Sequence, residues 1–347
     1  MLIKSYAINP NMQFMGKKSK KHEGNDEKPS SNKVLPNVLL GGSFLLINSK
    51  TQFINKGARS LTGKITKKKI NELFNNKIFT EKENKQIRSL SQKMLAEKKL
   101  DNIVKIVLMD PKEDITKTTN KAVEKALENF QNIPLLKESL KDNSTKQRTI
   151  KATAELLKPT FKTVQKGRNA LFHPMSNSVY ISKEPKTAWA DLHEIGHSIN
   201  KNTSKFWSVT QIAGPILPII APPLVILTAL VTDKPEKTDN NKKKKTKLST
   251  KIAKFIKKNV GLVTFSLFLP QILEETTASL RAYKFAKQNL GQETAKKLAK
   301  GYNTALSTYV FNALFTALIA VGLSKAKDIV VDLINKDKSK KATKKED

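Results

Sequence analysis

Apolar residues recur at helical spacing through much of the chain up to residue 205. Ile70, Leu73, Phe74 and Ile78 lie three and four positions apart, and the apolar residues of 83–99, 118–130 and 150–157 repeat in the same way, so each segment carries one apolar stripe and predicts an amphipathic helix. Two short runs break this period. Residues 103–109 are rich in β-branched side chains and stop at Asp110-Pro111, and residues 179–182 are entered through Pro174 and Asn177; both predict strands. The expected fold is mainly α with a small β-sheet, and residues 49–205 are its soluble helical region.

Uncharged stretches add a second pattern. Residues 34–48 form an uncharged run of 15, which as a helix covers only about 22 Å of a roughly 30 Å hydrocarbon core, so this segment is either a short anchor or a buried helix. Residues 206–231 contain 26 positions without a charge, but Pro215, Pro218, Pro222 and Pro223 demand a kinked or broken helix. Residues 259–273 are short; joined to the amphipathic 252–258 they would make one helix of about 33 Å, with Lys254, Lys257 and Lys258 snorkelling. Residues 302–323 add 22 uncharged positions between Lys300 and Lys325. The 206–323 region therefore predicts two to four membrane-associated helices.

Charge narrows the partners. Lys and Arg outnumber Asp and Glu by 64 to 30, a net charge of +34, and only five of the basic residues are Arg. Such a chain suits an anionic lipid surface. Nucleic acid is disfavoured, because base-edge readout uses Arg and single-strand binding uses interleaved aromatics, which make up 6% here. Residues 232–258 hold eleven Lys against three acids, and the 324–347 tail holds eight against five. If the intervening stretches cross a bilayer, the positive-inside rule places both on the cytoplasmic side. The polar, Lys-rich residues 1–33 read as disordered and lack the pattern of a secretory signal. Without cysteine there can be no disulfide, thiolate-bound zinc or thiol nucleophile.

The chemistry concentrates at 193–197, His-Glu-Ile-Gly-His. Ala188, Leu192, Ile195 and Ile199 form the apolar stripe of a helix, so His193 and His197 stand one turn apart on a single face and can share a zinc ion. Glu194 follows the first ligand and can act on metal-bound water as general base. With 4 His in 347 residues the pattern arises by chance on the order of 0.002 times per chain. Gly196 weakens a helix and so predicts close approach by another element. Of the groups left for a third ligand, His22 and His173 are less suited than Glu274 and Glu275, which follow the apolar run ending at Leu273. A chain that leaves the membrane face after His197 and returns before these acids brings both back to the same side.

Further segments resemble one family. Glu275-Thr-Thr-Ala278-Ser279-Leu-Arg281-Ala282 is similar to the Glu-x-x-Ala-Ser-x-Arg-Ala segment of the YugP-like neutral zinc metallopeptidases of bacterial membranes. Residues 305–310 resemble that family's last membrane segment, and Phe172-His173-Pro174 with 179–182 resembles its lead-in to the zinc helix; the likeness covers roughly residues 170–323. It implies a zincin-like catalytic helix, zinc (Zn2+) held by His193, His197 and Glu275, Glu194 as general base, a peptide or protein substrate, and a multi-pass protein of the bacterial inner membrane. His173 departs from the family's acid. Ser279 stands where other membrane gluzincins carry an orienting Asp.

The strand at 179–181 is either a substrate-pairing edge or an ordinary sheet strand, and Tyr180, Tyr283, Arg281 and Tyr309 each carry a donor suited to an oxyanion. Two other functions fit the same sequence: an inactive scaffold that keeps the zinc motif, and a lysine-rich membrane-surface or nucleic-acid-binding protein.

Overall fold

A computed structural model describes residues 57–58, 60–66, 68, 78–130, 142–184, 188–214, 217–232 and 248–343. The 1–33 and 34–48 segments, residues 70–77 and most of the Lys-rich 232–258 loop lie outside them. The described residues are mainly helical with one three-stranded sheet. Those within 70–208 and 277–302 form one compact unit, and those within 47–69, 209–276 and 303–347 form another.

In the first unit the elements are α1 (Glu81–Glu97), β1 (Lys105–Met109), α2 (Ile115–Phe130), α3 (Asn143–Gln165), β2 (Leu171–His173), β3 (Ser178–Ser182) and α4 (Trp189–Thr203). A middle portion of α9 (Leu269–Thr343) completes it. Thr80 and Glu83 start α1 with a capping box, in which each side chain accepts the other's backbone N–H. The Asp142 carboxylate starts α3 by accepting from the amides of Ser144 and Thr145. The helices expected at 83–99, 118–130 and 150–157 are therefore present as α1, α2 and α3, and both expected strands are present as β1 and β3.

The sheet order is β1-β3-β2, with β1 parallel and β2 antiparallel to β3. β2 was not expected. It is only three residues long and joins β3 through a turn whose last residue, Asn177, has φ of 49°, a conformation Asn tolerates. Alternation along β3 divides the core. Val179 and Ile181 join Leu192, Ile195 and Ile199 of α4 and Ala282, Phe285, Ala286, Leu298 and Tyr302 of α9. Tyr180 points the other way, into a cluster with Met109, Phe161 and Val164.

α4 is the central helix of this unit, and all residues from Trp189 to Asn200 are buried. Gly196 explains how α9 comes so near. A Cβ there would lie 2.4 Å from the Ala278 carbonyl oxygen, so the two backbones touch where a side chain is missing. The approach expected from the sequence is present. α9 itself is broken at Gly291, whose φ of 84° is open to glycine, and residues from both sides of the break enter the same core.

The second unit is built from α6 (Leu217–Val231), α7 (Leu248–Lys258), α8 (Val260–Ser266), the end of α5 (Lys205–Ala213) and both ends of α9. The proline-bearing 206–231 stretch is broken as expected, into α5 and α6. The single helix expected over 252–273 is not found. It is interrupted at Asn259 and again at Leu267–Phe268. Pro270 is the second residue of α9, where its missing N–H costs no intrahelical bond, so the proline suits a helix start at that point.

This unit buries Ile226, Val260 and Phe268 together with many small side chains. Small side chains such as Ala229, Thr264, Ala313, Thr316 and Ala320 are buried, whereas Leu224, Leu227, Leu262 and Leu318 are exposed. Among the described residues, a window within the helical run Val260–Lys336 is long and apolar enough to cross a membrane, by length and composition. At one end of the unit the buried Lys257 ammonium donates to the Thr232 carbonyl and to Asp328, each at 2.7 Å. Lys327 reaches the same carbonyl at 3.4 Å.

Gly196→Val is expected to destabilise the first unit by about 1–3 kcal/mol or more, because the added carbons must displace α9 backbone rather than a side-chain tip. Thermal unfolding of the purified chain measures this. A midpoint equal to wild type would mean the helices can part freely.

Candidate metal centre

His193, Glu194 and His197 form one buried group whose ligand atoms lie within 4.8 Å of one another, a set able to hold a metal ion. The two imidazoles meet nearly at right angles, and their Nε2 atoms are 2.9 Å apart. Two bare nitrogens facing each other at that distance repel unless a proton or a cation stands between them. A single proton shared between the rings satisfies that contact, and a cation that displaces it can accept both imidazoles. The ligand chemistry fits zinc, although nothing in the geometry distinguishes zinc from another imidazole-binding metal.

What fixes each side chain is also visible. His193 Nδ1 lies 3.1 Å from the Ser279 hydroxyl on α9. If that ring nitrogen donates, Nε2 keeps its lone pair for a metal, which is the orienting role an Asp would otherwise play. The partner missing from the sequence reading is thus Ser279 itself. The Gly196 contact makes this possible, since Ala278 adjoins Ser279. Tyr302 stacks on the other side of His193 at 5.5 Å between ring centroids, and its hydroxyl donates to the Trp189 carbonyl at 3.1 Å. One Glu194 oxygen accepts the Phe172 amide at 2.7 Å. Arg281 donates to Asn200 at 2.6 Å, a second tie between α9 and α4.

An acid–base pair behind the helix was not anticipated. Asp191 lies 3.6 Å from Arg88 of α1, and the same guanidinium donates to the carbonyls of Ser182 and Lys183 at the end of β3. α1, the sheet and α4 are tied at one point. Burial pushes the Asp191 carboxyl up to about 7, against the pull of Arg88 and with the Glu194 charge adding to the rise. The available signal was an acid in the first turn of a helix, where it also meets the positive end of the dipole. No sequence pattern pointed to Tyr302, which opens an uncharged run.

Other expectations change. The substrate-pairing alternative for residues 179–181 does not hold, because β3 is the central strand and both its edges are taken. Tyr180 packs edge-on against Phe161 at 4.8 Å in the opposite cluster. Tyr283 receives a bond from Gln292 at 3.3 Å. His173 ends β2, with Nδ1 3.0 Å from the Ser176 hydroxyl in the following turn, and is not in the metal group. Glu274 is buried and accepts from Gln211 at 2.6 Å within the second unit. Glu275 lies in the second unit's share of α9, four residues before Ser279 and so on the same helical face.

Ser279→Ala is expected to lower metal affinity by about 10-fold or more without unfolding the chain, as loss of an outer partner typically does. Chelator competition reads it, and unchanged affinity would show that the hydroxyl does not orient His193. His173 yields a pH prediction. Burial, aided by the Lys201 charge, lowers its pKa to about 4 from the ordinary 6.5. Between those values the unfolded chain takes up a proton that the folded one refuses, so stability drops as pH falls through this window. His173→Gln should flatten that part of the unfolding-midpoint profile; a profile as steep as wild type counts against it. Comparison of the chain with protein-family models, curated proteins and solved structures finds no match.

Proposed function

We propose that this chain is a membrane-held zinc metallopeptidase of gluzincin type, with His193, His197 and Glu275 as zinc ligands and Glu194 as general base. The observation that carries the reading is the convergence of the two Nε2 atoms beside the Glu194 carboxylate in one buried group. Zinc, when bound, supplies an acidified water and a Lewis acid for the scissile carbonyl.

The chain's own residues supply the rest. Ser279 and Tyr302 hold the His193 ring from two sides. Glu194 is the group that takes the proton of the attacking water, and the Phe172 amide sets its carboxylate at the sheet edge. Glu275 enters as third ligand through the family resemblance and its shared helical face with Ser279. The exposed leucines of the second unit support lipid as its surroundings. In that arrangement the apolar helices form a multi-pass anchor in the bacterial inner membrane, with the Lys-rich 232–258 and 324–347 segments cytoplasmic.

An inactive scaffold is the second reading, favoured by how deeply the group is enclosed: His193, Glu194 and His197 are 5%, 8% and 8% exposed. One variant separates the two. In the peptidase, Glu194→Gln keeps its zinc and loses about 10²–10⁴-fold in peptide cleavage. In the scaffold, wild type and variant bind zinc alike and neither cleaves. Cleavage unchanged by the substitution removes Glu194 as base, and wild type purified without zinc defeats both readings.

A further inference from the structure

Outside the metal group, the arrangement hardest to reconcile with water is α7. Leu248, Ile252 and Phe255 fall at i, i+4 and i+7 on one helical face, and they are 72%, 51% and 60% exposed. Lys257, on the opposite face, is buried at 7%. A helix in water would turn the other way, with the lysine out and the aromatic in. Burying a lysine is costly without partners, and Lys257 has two: the Thr232 carbonyl and Asp328, each at 2.7 Å. The orientation is therefore held by a specific contact.

Three further lysines set the depth. Lys251, Lys254 and Lys258 are exposed and flank the apolar face at i, i+3 and i+7. Immersion in hydrocarbon would leave these charges unsolvated, whereas a surface helix needs this split between an apolar face and a cationic flank. Residues 240–273 contain nine Lys and no acid, so the complementary surface is anionic. The level agrees as well. Thr232 follows the last residue of α6, and its carbonyl receives both Lys257 and Lys327, so the polar ties of α7 lie where the apolar helix α6 ends.

We propose that α7 lies in the plane of an anionic bilayer surface, with Leu248, Ile252 and Phe255 among the upper acyl chains and Lys251, Lys254 and Lys258 at the headgroup phosphates. The backbone departs from helical angles at Asn259, with φ of −116° and ψ of 28°, so α7 and α8 are separate helices rather than one continuous rod. The inference goes beyond the peptidase reading and shares only its membrane placement.

The chain has no cysteine, so one introduced thiol reports one position. The full chain carrying Phe255→Cys, labelled with an environment-sensitive fluorophore, is reconstituted into phosphatidylcholine vesicles with or without about one-third phosphatidylglycerol. Ile252→Cys serves as a second reporter should the first fail to fold. With anionic lipid the emission should shift to the blue, be quenched by acyl-chain nitroxides and be shielded from aqueous iodide. Replacing Lys251, Lys254 and Lys258 by Gln should shift the seated-to-lifted ratio by up to roughly five-fold per residue.

A label open to iodide in both vesicle types, with the chain floating alongside the lipid, overturns the in-plane helix alone. Equal shielding in both types, unmoved by the three substitutions, points to a protein covering such as a second copy and overturns it too. A chain that does not float with vesicles defeats this proposal and the membrane half of the function, while the zinc measurements on Glu194→Gln still decide the chemistry.

Discussion

The candidate centre depends on the missing side chain at Gly196. Because nothing projects there, the α9 backbone reaches α4 at Ala278, and Ser279 falls beside His193. Arg281, two residues on, reaches Asn200 from the same stretch. A larger residue would separate the helices by more than a hydrogen bond can span, and His193 would lose the group that sets its ring. Glycine's cost in helix propensity is about 1 kcal/mol. Here that cost is accepted in the middle of a helix with no exposed residue from Trp189 to Asn200, where packing rather than propensity determines stability.

Much of this was legible from residue pattern. Period and β-branching located α1 to α3, β1 and β3, since each is decided locally. The His-Glu-Ile-Gly-His spacing located the paired imidazoles, and Gly196 announced the close contact. Three things were not legible, for one shared reason. The partner of His193, the Arg88–Asp191 tie and the stacking of Tyr302 all join residues far apart in sequence, and no local period encodes such pairings. Ser279 is instructive: as a substitution for Asp it looked like a loss, yet a hydroxyl 3.1 Å from Nδ1 can serve the same ring. β2 escaped notice because three residues are too few to show alternation. The 252–273 helix is interrupted at Asn259 and at Leu267–Phe268, where hydropathy counts residues and does not see the backbone angles.

The two units differ in the share of small side chains they bury. In the first, Leu, Ile, Phe and Trp fill the interior, and Arg88 Nε, Ser91 Oγ and one Asp191 oxygen are buried there without a hydrogen bond. In the second, alanines and threonines share the inside with Ile226, Val260 and Phe268 while several leucines face out, and the buried Lys257 is tied to Asp328. Small residues permit close helix contact where there is no hydrophobic gain from hiding leucine, which is the rule for helices that associate in lipid. The net charge of +34 belongs with this, because a chain so rich in lysine and poor in arginine is better matched to diffuse headgroup charge than to a patterned polar ligand.

The path of α9 bears on the order in which the chain can mature. Its segments belong in turn to the second unit, the first and the second again, and the core around α4 is closed by Ala282, Phe285, Leu298 and Tyr302. On a ribosome, α4 emerges well before these residues exist, so His193 and His197 are made without the groups that orient them. Domains fold as units once their residues are available. The imidazole pair therefore acquires its geometry only late in translation, after the intervening apolar helices have emerged. A candidate metal group assembled on that schedule stays without its orienting partners until nearly the whole chain has been made.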